Sequence, residues 1–113
     1  KDADLVFDVR FLPNPFYIKE LKDLNGKTEE VRNYVMKWDV TKTFIDKTID
    51  LLEFLIPNYM AEQKRVLTIG IGCTGGFHRS VTIAEEIGRL LKEEYKSTYV
   101  THRDMEKNLW KKR

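Results

Sequence analysis

The chain of 113 residues has one cysteine, three prolines and six glycines. A single cysteine excludes an internal disulfide and agrees with a reducing compartment. Two histidines and one cysteine at wide spacing are poor ligands for a closed zinc site, so no metal is expected. Long hydrophobic runs are lacking too. None approaches the ~20 residues that a membrane-spanning helix needs, and no segment has a signal peptide's pattern. These absences lead to the expectation of a cytoplasmic protein with no membrane partner. Charge of one sign is scarce: Lys and Arg exceed Asp and Glu by two. The excess lies in residues 103–113, where Arg103, Lys107, Lys111, Lys112 and Arg113 stand against Asp104 and Glu106. Elsewhere the acids outnumber the bases by one. A basic tail suits nucleic acid, although many such tails are simply solvated.

What is present fits one small domain over residues 1–113, with a single core. Leu5 to Leu12 mixes apolar and β-forming residues and reads as a strand, stopped by Pro13-Asn14-Pro15. Residues 16–27 read as an irregular connection with Asn25-Gly26 as a turn. Thr28 followed by Glu29, Glu30 and Val31 is a helix start. A second helix is predicted over about 41–60, since Ile45, Ile49, Leu52, Ile56 and Tyr59 recur at steps of four and three; Pro57 is expected to kink or end it. Val66–Ile71 reads as a central strand. Residues 79–94 give the clearest helix, with Ile83, Ile87, Leu90 and Leu91 on one side. Ser97–Thr101 reads as a last short strand. The order β-α-α-β-α-β predicts an α/β fold with a small, mostly parallel sheet flanked by helices. Ligands in such folds sit at the carboxyl ends of the strands.

Residues 72–80, Gly-Cys-Thr-Gly-Gly-Phe-His-Arg-Ser, lie at such an end. Gly72, Gly75 and Gly76 let the backbone turn sharply and approach a ligand. Their N–H groups, with those that open the next helix, can converge on one anion. Thr74, His78, Arg79 and Ser80 add side-chain donors, and Arg79 can fork two hydrogen bonds to a phosphate. A plain strand–helix turn explains the glycines but not the four donors within nine residues, so a phosphate-binding loop is the better reading.

Cys73, five intervening residues, Arg79 and Ser80 also match the Cys-x5-Arg-Ser spacing of cysteine-dependent phosphatases. There a thiolate attacks phosphorus and the arginine holds the equatorial oxygens. Asp8 or Asp104 would be the general acid. Spacing alone supports this alternative. Asp8, Arg10 and Asn14 form a second constellation. Asp8 and Arg10 point to one face of a strand and are either a surface ion pair or the far wall of the same pocket. His102 and Arg103 follow the last expected strand. Trp110, among Lys107, Lys111 and Lys112, is placed either to stack on a base or to cap the chain end.

The motifs Asp4–Pro15, Thr68–Gly76, His78-Arg79-Ser80-Val81 and His102-Arg103-Asp104 together resemble the C-terminal domain of the RapZ/YvcJ family, across essentially the whole chain. The resemblance implies a fold similar to a sugar-phosphate-binding part of phosphofructokinase. It implies a preceding P-loop domain that binds and hydrolyses ATP or GTP, which would explain the abrupt start at Lys1, and no cofactor in this domain. In one branch the family is an RNase adapter that senses glucosamine-6-phosphate and binds small regulatory RNAs. Carried over, Thr74, Gly75, Gly76, His78, Arg79 and Ser80 would hold the phosphate, with Cys73, Asp8, Arg10 and Asn14 lining the rest. His102, Arg103, Lys107, Lys111, Lys112 and Arg113 would contact RNA. A non-catalytic sensor, an RNase partner and a homo-oligomer follow as expectations. Two departures stand out: Phe16 replaces a histidine of that branch, and Asn108-Leu109-Trp110 interrupts the basic run.

Overall fold

Two short strands are the floor on which this fold is built. The computed structural model describes residues 3–73 and 77–102. Strand β1 (Leu5–Asp8) and strand β2 (Ile69–Gly72) pair in parallel, with Leu5 beside Ile69 and Asp8 beside Gly72. Their carboxyl ends are therefore level. Between them come a single 3-10 turn (Pro15–Tyr17), helix α1 (Glu29–Met36) and helix α2 (Asp39–Ala61); helix α3 (Arg79–Glu94) follows β2. This is the expected α/β class.

Several boundaries differ from the sequence reading. β1 stops at Asp8, because Leu12 N–H turns back to the Val9 carbonyl at 3.1 Å. β2 begins at Ile69 rather than Val66. α2 runs through Pro57 and ends four residues later. Proline removes one helical donor, and here it lies on an exposed stretch of the last turns. Ser97–Thr101, expected as a strand, makes no ladder: among the described residues the sheet has two strands.

The helices contact one another and one face of the sheet. Val9, Leu12, Val31, Val35, Leu52 and Ile83 are buried together, with Leu5, Ile69 and Ile71 packed against them. Phe7 meets Phe44 of α2 edge-on at 6.2 Å. Strand alternation sends Val6 and Gly70 to the opposite face, where Val6 is 70% exposed. The buried stripe of α2 is Thr41, Ile45, Thr48 and Leu52, so two threonines take places that hydrophobicity alone would not assign.

Two polar features fix the helices. Thr28 caps α1 by accepting from Val31 N–H, and Glu29 and Glu30 lie in its first turn, where the helix dipole favours acids. Glu86 on α3 takes Arg32 of α1 at 2.9 Å and Arg89 at 2.6 Å. The bonds from Arg89, then those from Arg32, hold its carboxyl below the usual range despite burial.

The turn at Asn25-Gly26 seats the first turn of α3. Gly26 N–H donates to the Phe77 carbonyl at 2.8 Å, and the Gly26 carbonyl accepts from Thr82 Oγ1 at 2.9 Å. A Cβ on Gly26 would lie 2.3 Å from the His78 carbonyl oxygen and 2.8 Å from Thr82 N. Both are backbone atoms with little room to move. Gly26→Ala is expected to destabilise the domain by about 2 kcal/mol or more. Urea denaturation checks this; an unchanged midpoint would mean that the turn is not held against α3.

Candidate functional site at the carboxyl ends of the strands

Beyond Asp8 and Gly72 the two strands release their chains on the same side of the molecule. Val9 N–H still donates to the Gly72 carbonyl at 2.8 Å. The chain after β1 then folds into the 9–12 turn, and the chain after β2 leads through Cys73 to α3. Thr74, Gly75 and Gly76, the centre of the expected phosphate loop, lie outside the described residues, as do Arg103, Lys107, Lys111, Lys112 and Arg113 of the expected RNA contact.

Arg79 opens α3 and is 5% exposed. Its Nη1 donates to the carbonyls of Arg10 and Leu12, the latter at 3.1 Å, and so ties the helix to the turn after β1. Its Nε is buried without a hydrogen-bond partner. No carboxylate forms an ion pair with it among the described residues. Asp8 is taken by Arg10: its carboxylate accepts from Arg10 N at 3.0 Å and from Arg10 Nε at 2.8 Å. Those two bonds, and secondarily the charges of Arg10 and Arg79, hold the Asp8 carboxyl below its usual range. Two guanidiniums thus face one carboxylate. Among the described residues a unit of positive charge is left over where the strands end and α3 begins.

The side chains around Arg79 are largely engaged. His78, 6% exposed, has Nε2 at 3.2 Å from the Leu21 carbonyl and 3.0 Å from that of Lys22. Carbonyls only accept, so Nε2 carries the proton. Its ring also stands edge-on to Phe77 at 4.9 Å. His78 was expected as a phosphate donor, but its Nε2–H is committed to the 21–22 backbone. Asn14 accepts from Phe16 N–H at 3.0 Å and caps the 3-10 turn. Ser80 N–H donates to Cys73 Sγ at 3.2 Å, so the sulfur sits over the first turn of α3. The N-cap residue itself, His78, makes no side-chain cap bond. His102 lies apart from these groups, its Nε2 2.6 Å from Glu85 Oε2 on the flank of α3. The structure therefore brings together Asp8, Arg10, Cys73, Arg79 and Ser80, gives His78 and Asn14 backbone partners, and sets His102 aside. The carbonyls of Leu21, Lys22 and Gly26, which lock the first turn of α3, escaped the sequence reading. Their one signal was the Asn-Gly turn.

Residues 1–106 match the family model described as the RapZ C-terminal domain. The chain belongs to this family. A nucleotide-binding protein of Caldicellulosiruptor saccharolyticus is 61% identical over 108 residues, covering 96% of this chain and 37% of the relative. The nucleotide-binding protein YvcJ of Bacillus subtilis is 58% identical over 106 residues, covering 94% of this chain and 36% of the relative. The RapZ C-terminal domain thus spans little more than a third of the length of these relatives.

Burial pushes the His78 imidazole below its ordinary 6.5, outweighing the bonds to Lys22 and Leu21, which act the other way. The unfolded chain then takes up a proton on this ring at a higher pH than the folded RapZ C-terminal domain does. Stability from neutral His78 is full above about pH 6.5 and is lost as the pH falls from there toward the lower folded value. The lowered carboxyls of Asp4, Asp8 and Glu86 act at lower pH, below about 4. His78→Gln is expected to flatten the fall in stability between pH 7 and 5, measured by urea denaturation. Equal slopes in the two proteins would show that His78 is not held neutral.

Proposed function

We propose that this RapZ C-terminal domain is a non-catalytic sensor in which the start of α3 binds the phosphate of a small phosphorylated sugar. The observation that carries the reading is Arg79, buried at a helix N-terminus with no carboxylate in an ion pair with it among the described residues. A buried cation without a counter-charge is costly, and an anion from solution relieves that cost. The helix end adds its dipole and N–H groups to the same attraction. Arg10 is the exposed cation of the site, already oriented by Asp8, and Asp8 is the acceptor for a hydroxyl or amine on the ligand. An amino-sugar phosphate such as glucosamine-6-phosphate has both parts. In the remainder of a full-length protein of the relatives' kind we place a nucleotide site, as their names suggest, and take its nucleotide to be ATP or GTP.

The cysteine-phosphatase alternative draws on one contact, the Ser80 N–H to Cys73 Sγ bond, which places sulfur over a helix N-terminus. Against it, the side chain expected to orient a phosphoryl group, Arg79, has Nη1 committed to two carbonyls. Of its two candidate acids, Asp8 is paired with Arg10 and Asp104 lies outside the described residues.

Glucosamine-6-phosphate is expected to raise the melting temperature of the domain and inorganic phosphate to do so more weakly. Arg10→Gln, at an exposed position, should weaken binding about tenfold, and Arg79→Lys should weaken it further. No shift with either compound would end the phosphate reading. Turnover of para-nitrophenyl phosphate that vanishes in Cys73→Ser would replace the sensor with the phosphatase.

The basic residues 103–113 make RNA the proposed macromolecular partner, in a cytoplasmic setting and with an RNase as the protein that acts on the bound RNA. Affinity for a structured RNA is expected to fall steeply with salt, and deletion of 103–113 should flatten that dependence by several phosphate contacts. An unchanged slope would remove the tail from the interface.

A further inference from the structure

α3 and the segment that follows it enclose a small pocket of about 260 Å3, with Glu85, Gly88, Arg89 and Lys92 on the helix side and Tyr99 and Val100 on the other. That is below the ~300 Å3 at which pockets for drug-sized ligands begin, and it leaves room for one flat ring system. Val100 lies over Gly88, where its Cγ2 occupies the space a side chain would take, so the close approach of the two walls depends on glycine at this place. Tyr99 is 81% exposed. Its ring has one cationic neighbour, Lys92, whose Nζ stands 5.4 Å from the ring centre.

The charges of the pocket are unequally engaged. Arg89 is held by Glu86 at 2.6 Å and reaches Glu93 at 3.7 Å, so its charge is met within the helix. Lys92 has no carboxylate in an ion pair with it among the described residues; its Nζ reaches the Thr98 carbonyl at 3.4 Å, a long bond. Its contact with the Tyr99 ring is at an exposed position, where such contacts are weak and readily exchanged. Glu85 is tied through Oε2 to His102 at 2.6 Å. A carboxylate only accepts, so Glu85 admits N–H donors and repels a phosphate. The pocket therefore offers one aromatic face, one loosely held cation and one acceptor. A lone phosphate would meet the carboxylate, and an aliphatic ligand would leave Lys92 and Glu85 unused. A nucleobase has a flat face for the tyrosine and N–H groups on its edge for the carboxylate, with a phosphate beside it for the lysine.

We propose that this pocket is a slot for one base of a single-stranded stretch of RNA, stacked on Tyr99. The occupant belongs to a polyanion because the wall that carries Tyr99 runs on into the basic residues. From Lys96 to Arg103 the chain has two basic residues and no acid, and Lys107, Lys111, Lys112 and Arg113 follow. His102, bonded to Glu85 of the pocket, stands directly before Arg103. The slot rests on the RNA reading proposed above and adds to it a contact that does not depend on charge. On binding, the base takes the face of Tyr99 from Lys92, and Lys92 turns to the adjoining phosphate. The basic residues supply affinity through phosphates of any sequence. The slot needs an unpaired base, so it selects single strands over duplexes.

Fluorescence anisotropy of a short, labelled, mixed-sequence single-stranded RNA with the 113-residue chain tests the slot. Tyr99→Ala is expected to weaken binding about tenfold with the salt dependence unchanged, since it removes stacking and no phosphate contact. Tyr99→Phe keeps the ring and should bind as the unsubstituted chain does. Lys92→Gln should weaken binding and lower the salt slope by about one phosphate contact. The same RNA as a duplex hides its bases, so Tyr99→Ala should leave duplex affinity unchanged. Tyr99 is exposed, and an unchanged urea midpoint reports that its variants are folded. Single-strand affinity unaffected by Tyr99→Ala, or an equal loss on the duplex, would overturn the slot and leave the RNA reading standing. No affinity for either RNA at low salt would overturn both. Tyr99-dependent binding of a nucleoside monophosphate as tight as that of the RNA would assign the slot to a free nucleotide and overturn RNA as its occupant.

Discussion

Arg79 is cationic, almost fully buried and bonded through Nη1 to the carbonyls of Arg10 and Leu12. The placement of everything at the strand ends depends on this contact. The two carbonyls belong to the turn that follows β1, and the arginine belongs to the first turn of the helix that follows β2. A single side chain therefore sets the distance between the two chain segments leaving the sheet. Desolvating a guanidinium costs several kcal/mol, and two neutral acceptors do not cancel a charge. The fold tolerates the remainder only at a place where solvent anions or a ligand can reach the field. Arg10 is the exposed cation at that place.

The polar first turn of α3 follows from the same constraint. His78, Arg79, Ser80 and Thr82 are all buried, in the one helix turn where an ordinary α/β domain would place aliphatic residues. Thr82 and His78 are satisfied by backbone carbonyls of the segment that ends in Gly26. Ser80 N–H finds the sulfur of Cys73. These bonds fix the turn against the segments that follow β1 and β2. Asn14, His78 and Arg79 thereby serve the scaffold, since the bonds their side chains make among the described residues are to backbone groups.

α3 was legible in the sequence to the residue, because its apolar period and its glycine-rich approach agree. The cap of α1 at Thr28 was equally plain. The ends of the strands were not. Val9, Phe11 and Leu12 are as strand-like as Leu5 and Phe7, and only the turn closed by Leu12 N–H on Val9 separates them. Such a turn is set by what Arg79 needs from it, a contact spanning about seventy positions that no local pattern encodes. For the same reason the donors at 72–80 were legible as chemistry but not as geometry. The sequence displays an imidazole and a guanidinium without showing that carbonyls from 10, 12, 21 and 22 have engaged them.

Ser97–Thr101 is the most instructive of the differences. Its composition is that of a strand, its alternation over α3 is that of a strand, and it forms no ladder. Among the described residues β2 is paired on one edge, so Ile69 and Ile71 turn their backbone groups away from β1. Composition is a property of the segment itself, and the contacts of Val100 with Gly88 and of His102 with Glu85 are made to α3. A ladder needs in addition that the segment lie against β2, and neither composition nor alternation sets that placement.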